Sequence, residues 1–258
     1  MSNRVEVVAG TGPAVKRHPS PWPARMDFWQ SLTGLFLALF MLTHMFFESS
    51  ILLGKDAMWV VSKMFEGYFI FDAPHPVLVS GMVAMVLALF VAHAFLAMRK
   101  FPSDYRQYRA FTGHMARLKH RGTTLWWVQL VTGFLMFFLV SAHLYQMLSN
   151  PGDIGPHISA ARVYHSWWPL YLLLLFCVGL HGGIGLYRLV MKWGWFEGRA
   201  PDTSRTRLAT LLTWLTVLFL ALGLLTLAAY LKIGWEQRDA PGVRYLPAWV
   251  EDAGTQGE

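Results

Sequence analysis

Long apolar runs separated by short polar stretches make up most of this chain. Five runs are uncharged or nearly so and are long enough to cross about 30 Å of hydrocarbon, which takes about 20 helical residues. They are 28–47, 76–98, 122–149, 163–187 and 208–231. Because a helix satisfies its own backbone hydrogen bonds in lipid within a run of this length, the pattern predicts an all-α fold, an integral membrane bundle of five transmembrane helices.

The composition agrees with a chain that lies mostly in lipid. Of its 258 residues, 55% are hydrophobic and only 14% are charged, which is unusual for a soluble domain. The net charge of +7 could suggest nucleic acid, but 16 of the 22 Lys and Arg residues lie before the first run and in the second and fourth connections. Cytoplasmic segments carry such an excess, so we expect the N-terminus in the cytoplasm, the C-terminus outside and no nucleic-acid partner.

These boundaries divide the chain into a cytoplasmic N-terminal tail (1–27), a transmembrane domain (28–235) and an external C-terminal tail (236–258) that is expected to lie loosely outside. The N-terminal tail has no short apolar core with a cleavage site, so it does not predict a signal peptide. The connection 99–121 carries aromatic and basic residues at helical spacing, which predicts an amphipathic helix at the lipid interface. We find no repeated halves that would indicate an inverted-repeat transporter.

Cysteine usage limits the chemistry of the chain. The single cysteine, Cys177, lies inside the fourth run. It excludes an intrachain disulfide, a cysteine-held iron–sulfur cluster and covalent haem attachment through Cys-x-x-Cys-His. Any haem here would be held without thioether links.

Four histidines lie inside apolar runs, each in a different one: His44, His93, His143 and His181. A histidine in hydrocarbon must find a partner, so each is a candidate functional residue. Counted from the cytoplasmic ends, they sort into a deeper pair, His44 with His143, and a shallower pair, His93 with His181, whose mean depths differ by roughly 13 Å. Two imidazoles fill both axial positions of a haem iron, so such sites carry electrons and do not bind oxygen. Alternatively, each histidine bonds a neighbouring hydroxyl or carbonyl group.

Polar side chains near the cytoplasmic ends of the helices could meet the propionates of a haem. A dianionic haem on that side would need cations and donors, and the candidates are Gln30, Ser31, Trp126 and Lys192. Hydration of the helix start is the alternative for Gln30 and Ser31, and snorkelling to lipid phosphate is the alternative for Lys192.

Glu66 lies among aromatic residues in the first outer connection. An acid that is partly withdrawn from water at the lipid edge could accept a proton from a quinol. The sequence alone nevertheless favours an ordinary loop acid.

We also expect most of the histidines in loops or at the ends of runs to be solvated. They are His18, His75, His114, His120, His157 and His165.

Four stretches of the chain resemble a known family. They are WQSLTGL (29–35), HAFLAMRKFP (93–102), TTLWW (123–127) and the stretch from GLYR to KWGWF (185–196). Over about residues 22–235 the chain resembles the two-haem cytochrome b membrane subunit of menaquinol:fumarate reductases and related succinate:quinone oxidoreductases. The resemblance implies that His93 and His181 ligate a proximal haem b nearer the cytoplasm, and that His44 and His143 ligate a distal haem b.

The resemblance also implies a place for this chain in a larger complex. Glu66 would lie at an outer menaquinol site, contrary to the expectation from sequence alone. A flavoprotein subunit with FAD and a subunit with iron–sulfur clusters would bind on the cytoplasmic side of the inner membrane, where fumarate and succinate interconvert. A dimer of heterotrimers is possible for the family, and the reverse reaction, succinate to menaquinone, uses the same groups.

The sequence departs from the family at one position in the fourth run. Some members carry a glutamate two residues before the haem ligand, proposed to pass protons across the membrane, where this chain has Gly179. The second to fifth runs contain no Asp or Glu, so we expect electron transfer to be electrogenic. Two alternatives stay open: a haem b subunit of another respiratory complex, such as a hydrogenase or nitrate reductase, and a transporter or structural membrane protein whose histidines bind no haem.

Overall fold

The computed structural model describes residues 20–118, 121–196 and 198–250, and all regular structure within them is helical. Five helices or helical segments in this part of the chain are long and apolar enough to cross a membrane, which confirms the predicted all-α bundle. Their main helices are α1 (Trp22–Glu48), α4 (Pro76–Met98), α6 (Arg121–Ser149), α8 (Trp168–Trp193) and α9 (Pro201–Glu236).

Shorter helices connect the long ones. They are α2 (Lys55–Phe65), α3 (Tyr68–Phe71), α5 (Tyr105–Leu118) and α7 (Pro156–Arg162). The amphipathic helix expected in the connection 99–121 is therefore present as α5. Its neighbours Lys119 and His120 lie outside the described residues.

The fourth spanning segment is longer than the apolar run predicted. It begins at Pro156 and continues from α7 into α8 through one wide helical turn at Val163–Trp167. Pro169 lies at the start of α8 and has no N–H group to donate to the preceding turn, so the regular hydrogen-bond pattern is interrupted there. Hydropathy predicted only the apolar run 163–187. The helical segment also includes the small and polar residues that precede this run, from Pro156 onward.

The long helices pack around a common interior, with α1 against α4, α4 against α6, α6 against α8, and α9 against α8. Glycines bring α8 and α9 close together: a Cβ added at Gly183 would collide with Thr216, and one added at Gly223 would collide with Leu175. Small residues at helix contacts serve this purpose in membranes. Large apolar side chains such as Phe46 and Phe95 are exposed on the outside of the bundle, where lipid would cover them.

The part of the C-terminal tail up to residue 250 packs against the outer connections. Arg244 lies 2.7 Å from the carboxylate of Asp153, and the Trp249 ring lies 5.4 Å from the ring of Trp59, edge to face. The expectation of a loosely lying tail is therefore wrong for these residues. Residues 251–258 lie outside the described part of the chain.

One of the peripheral histidines is also placed differently from the expectation. His75, His114 and His165 are exposed as expected, and His18 lies outside the described residues, as does His120. His157 is only 8% exposed, because it lies on α7 beneath the tail and its ring nitrogen pairs with the Gln237 amide. For His157 the expectation of a solvated side chain is wrong.

Candidate functional site

His93 and His181 face one cavity inside the bundle. The cavity has a volume of about 690 Å³ and is enclosed by the long helices, within the size range of small-molecule and cofactor sites. Its walls are mostly apolar, and polar side chains such as Lys192 lie toward one end of the bundle. We call this end the inner end, because the sequence predicts that it faces the cytoplasm. Six predicted site residues line it: Gln30, Ser31, His93, Trp126, His181 and Lys192.

Both cavity histidines bond the backbone of a neighbouring helix. Nδ1 of His181 lies 2.9 Å from the carbonyl oxygen of Gln129, and His93 bonds the backbone of Gln30. Thr33 Oγ1 lies 3.2 Å from Nδ1 of His93. Because a carbonyl oxygen can only accept, Nδ1 carries the proton in the His181 ring and Nε2 keeps a free lone pair, as in metal-binding histidines.

A short repeat on α1 and α6 produces this support. Both helices contain Gln-x-x-Thr-Gly, at 30–34 and at 129–133. In each copy the threonine hydroxyl lies at the Nδ1 atom of the facing histidine, and the backbone of the glutamine bonds the same ring. In both copies a histidine follows ten residues after the glycine, at His44 and His143. Our sequence analysis missed this repeat, although the identical spacing in two apolar runs was a usable signal.

The glycines of the repeat make room for the two rings. A Cβ atom added at Gly34 would lie 2.8 Å from Cε1 of His93, and one added at Gly133 would lie 2.9 Å from Cε1 of His181. Real Cβ contacts are essentially never this short. Each imidazole therefore rests against backbone, and its position is fixed by close packing as well as by the hydrogen bond at Nδ1.

Three basic side chains lie close together at the inner end of the cavity. The carboxylate of Asp27 accepts a hydrogen bond from Arg99 and lies 3.2 Å from Nζ of Lys100 and 3.5 Å from Nζ of Lys192. Lys192 Nζ also lies 3.3 Å from Ser31 Oγ. Three cations surround one carboxylate, so this end can accept a further anionic group such as a propionate.

Trp126 and Gln129 lie at the same end, on α6. The Trp126 ring packs 4.4 Å from the ring of Phe111 on α5, so the interfacial helix covers this corner of the bundle. The side-chain oxygen of Gln129 accepts a hydrogen bond from Arg188, at 2.9 Å. Its side chain and its backbone therefore tie α6 to two different positions on α8.

His44 and His143 form a second pair towards the outer end. Their ring centroids are 6.3 Å apart with an interplanar angle of 47°. Two imidazoles that bind one metal ion from opposite sides have centroids about 6 Å apart, since a metal–nitrogen bond is about 2.0 Å long. Nδ1 of His143 is buried without a hydrogen-bond partner, so the alternative of a histidine fully satisfied by its neighbours does not describe it.

The donor sets fit haem better than a bare metal ion. Among the described residues, no group of three or more His, Cys, Asp or Glu side chains could hold a metal ion. A porphyrin supplies four nitrogens itself and needs only two axial ligands from the protein. The pairs His44 with His143 and His93 with His181 each offer two imidazoles from different helices, which meets this need.

Glu66 is buried at the end of α2, with only 1% of its surface exposed. Its Oε2 atom lies 2.6 Å from Nζ of Lys63, and its Oε1 atom is buried without a partner. Gly67 follows in the left-handed conformation with φ of 74° and turns the chain into α3. The expectation of an ordinary loop acid is therefore wrong: Glu66 is buried, and an unpaired buried carboxylate oxygen favours a hydrogen-bond donor beside it.

Gly179 lies where α8 meets α9. A Cβ atom added there would lie 2.7 Å from Cδ2 of Leu220, so a larger residue would require the Leu220 side chain to move.

Comparisons with known proteins find similar proteins over most of the chain. The profile of a family described as "Succinate dehydrogenase/Fumarate reductase transmembrane subunit" matches residues 105–224. The chain is 52% identical over 246 residues to the fumarate reductase cytochrome b subunit of Wolinella succinogenes, covering 95% of this chain and 96% of that protein. It is 49% identical over 233 residues to the subunit of the same name from Helicobacter pylori strain J99, covering 90% and 89% of the two chains.

Proposed function

This chain belongs to the family of fumarate reductase cytochrome b subunits, and from that premise we propose that it oxidises menaquinol near the outer face of the membrane. It delivers the electrons to an iron–sulfur subunit on the cytoplasmic side. The observation that carries the proposal is the arrangement of two histidine pairs within one bundle, each pair drawn from two different helices. The chain is a multi-pass subunit of the inner membrane, with its N-terminus in the cytoplasm and its C-terminus outside.

Two b haems supply the one-electron chemistry when they are bound. His93 and His181 would hold the proximal haem, and His44 and His143 would hold the distal haem. At the inner end of the cavity, the polar groups that meet the propionates are Gln30, Ser31, Trp126 and Lys192. The fixed Nδ1 proton of His181 leaves Nε2 as its ligand atom, and this hydrogen bond makes the ligand more basic.

Glu66 accepts a proton from menaquinol. Oxidation of a quinol to the quinone releases two electrons and two protons, so the outer site needs a base. The buried, unpaired Oε1 atom of Glu66 can receive one hydroxyl proton, while Lys63 holds Oε2 in place. The proton then leaves toward the outer water, and the position of Glu66 outside the bundle core keeps this release on the outer side.

The fumarate chemistry lies on other subunits. A flavoprotein subunit with FAD and an iron–sulfur subunit bind at the inner end, near α5 and the cluster of cations around Asp27, and two such heterotrimers form a dimer. With Gly179 in α8 and no acid within the apolar runs 76–98, 122–149, 163–187 and 208–231, protons do not accompany the electrons across. Electron transfer in this chain is therefore electrogenic.

The experiment that tests the proposal is a reduced-minus-oxidised visible spectrum of the purified chain, with pyridine haemochrome quantitation. We expect two b haems per chain. The complex purified through a tag on this chain should contain FAD and iron–sulfur clusters and reduce fumarate with a menaquinol analogue. A colourless protein, or one that reduces no fumarate with its partners present, would contradict the proposal.

A further inference from the structure

A polar cluster that the proposed function does not use lies at the outer end of the bundle. Glu48 is the last residue of α1, and its Oε2 atom accepts a hydrogen bond of 3.0 Å from the hydroxyl of Tyr230 on α9. Arg162, at the end of α7, donates a hydrogen bond to Tyr171 on α8. The cluster therefore joins a carboxylate, a guanidinium group and two phenols from four helices.

The cluster lies next to both members of the outer histidine pair. Glu48 follows His44 by four residues, one helical turn further out on the same face of α1. Tyr171 places its ring edge on the ring of His143, with centroids 5.6 Å apart and an interplanar angle of 78°. A charge in the cluster therefore lies within about two turns of helix from both rings.

Glu48 is half-buried, and the residues packed beside it are buried. Tyr230 is only 5% exposed. Directly beside Glu48, the hydroxyl of Ser49 accepts a hydrogen bond of 3.1 Å from Thr226, and both of these residues are buried. Because charges interact more strongly where water is excluded, a carboxylate in this place affects its neighbours more than one on the surface.

Glu48 is one of very few acidic residues in the helices that carry the four histidines. The sequences of α1, α4, α6 and α8, which supply all four histidines, contain only two acidic residues. Asp27 lies at the inner end, among three cations. Glu48 lies at the outer end, held by Tyr230. Each histidine pair therefore has one carboxylate of the bundle near it.

We propose that the carboxylate of Glu48 sets the midpoint potential of the haem bound by His44 and His143, holding it lower than it would otherwise be. The inference rests on the proposed function, because it requires a haem in this place. A fixed negative charge opposes the addition of an electron to the nearby iron, so it stabilises the oxidised form. Glu48 acts through this field and touches neither quinol nor iron; Tyr230 positions it.

The test is a potentiometric titration of both haems in the purified whole complex, followed by the absorbance of reduced haem b. Glu48→Gln is close in shape to the native residue and removes only the charge. We expect one of the two Nernst components to move to higher potential and the other to stay where it is in the wild type. Glu48→Asp keeps the charge, so its potentials should stay near the wild-type values.

A matched control is available at the same end of the molecule. Glu236 is an exposed glutamate at the end of α9, paired with Lys232 at 3.8 Å. Glu236→Gln makes the same chemical change where water screens the charge, and we expect neither component to move. A second neutral variant, Glu48→Ala, replaces Glu48→Gln if that protein does not retain haem.

Several outcomes would overturn the proposal. They are equal shifts of both components, no shift in Glu48→Gln, a shift in Glu48→Asp as large as in Glu48→Gln, or loss of one haem from both neutral variants, which would make the role structural. A wild-type protein with fewer than two haems would instead refute the proposed function, and this is measured before any variant is compared.

Discussion

Nδ1 of His181 lies 2.9 Å from the backbone oxygen of Gln129, one helical turn before the glycine on which its ring rests. His93 bonds the backbone of Gln30 and rests against Gly34 on the other side of the cavity. Both rings are thus oriented by backbone atoms, which no side-chain substitution at the glutamine removes. The orientation of the ligands is a property of the helix packing itself.

Substitution of the supporting glycine should weaken the proximal haem site. In Gly34→Ala the new methyl group meets His93 at 2.8 Å, and overpacking of this kind costs about 1–3 kcal/mol. We expect a lower haem-to-protein ratio by pyridine haemochrome, with one of the two haems lost first. Gly81→Ala on α4, where nothing lies within 4 Å of the added atom, is the control and should retain both haems. Equal haem content in the two variants would contradict the packing argument.

Asp27→Asn should raise the midpoint potential of the proximal haem. The change leaves the positive charges of Arg99, Lys100 and Lys192 without their carboxylate, and uncompensated positive charge stabilises the reduced form. The same redox titration used for Glu48 measures it. The two variants should move different Nernst components; movement of the same component by both would show that one of the two charges has been assigned to the wrong haem.

Glu66→Gln should stop menaquinol oxidation and leave the haems intact. General-base catalysis contributes about 10²–10⁴-fold, so we expect menaquinol:fumarate activity to fall at least about 100-fold. Fumarate reduction by an artificial donor that bypasses this chain should be unchanged, as should the haem spectrum. Glu236→Gln is again the matched surface control. Full quinol activity in Glu66→Gln would exclude Glu66 as the acceptor.

Turnover of menaquinol and fumarate by the whole complex should generate a membrane potential. Proteoliposomes that hold the whole complex, supplied with a menaquinol analogue and fumarate, should develop a potential that a voltage-sensitive dye reports and a protonophore abolishes. The physical reason is that the apolar runs from 76 to 231 carry no acid and Gly179 packs against Leu220. Steady turnover without a potential would show that protons cross with the electrons by another route.

The sequence predicts the helices well because hydrophobic length is a one-dimensional property. It also separates the histidines by depth, and the structure brings His44 within 6.3 Å of His143 between ring centroids. Burial in the connections depends on which segments fold over which, and periodicity carries no record of that. For this reason the enclosed positions of Glu66 and His157 and the packed tail differ from the expectations.

The Gln-x-x-Thr-Gly repeat escaped the sequence analysis for a different reason. The two halves of the chain share few identical residues outside the repeat. The shared positions are few: the Gln-x-x-Thr-Gly residues at 30–34 and 129–133, and the histidines that follow them, His44 and His143. A search for identical spacing within apolar runs would have found them.

The connectivity of the histidines has a consequence for biogenesis. Each pair takes one ligand from the hairpin of α1 and α4 and one from the hairpin of α6 and α8. A nascent chain with only its first hairpin in the bilayer would offer each cofactor half of its coordination. On the proposed function, haem insertion would require the second hairpin and would then join the two hairpins at two levels. Haem content would therefore measure correct assembly of the subunit.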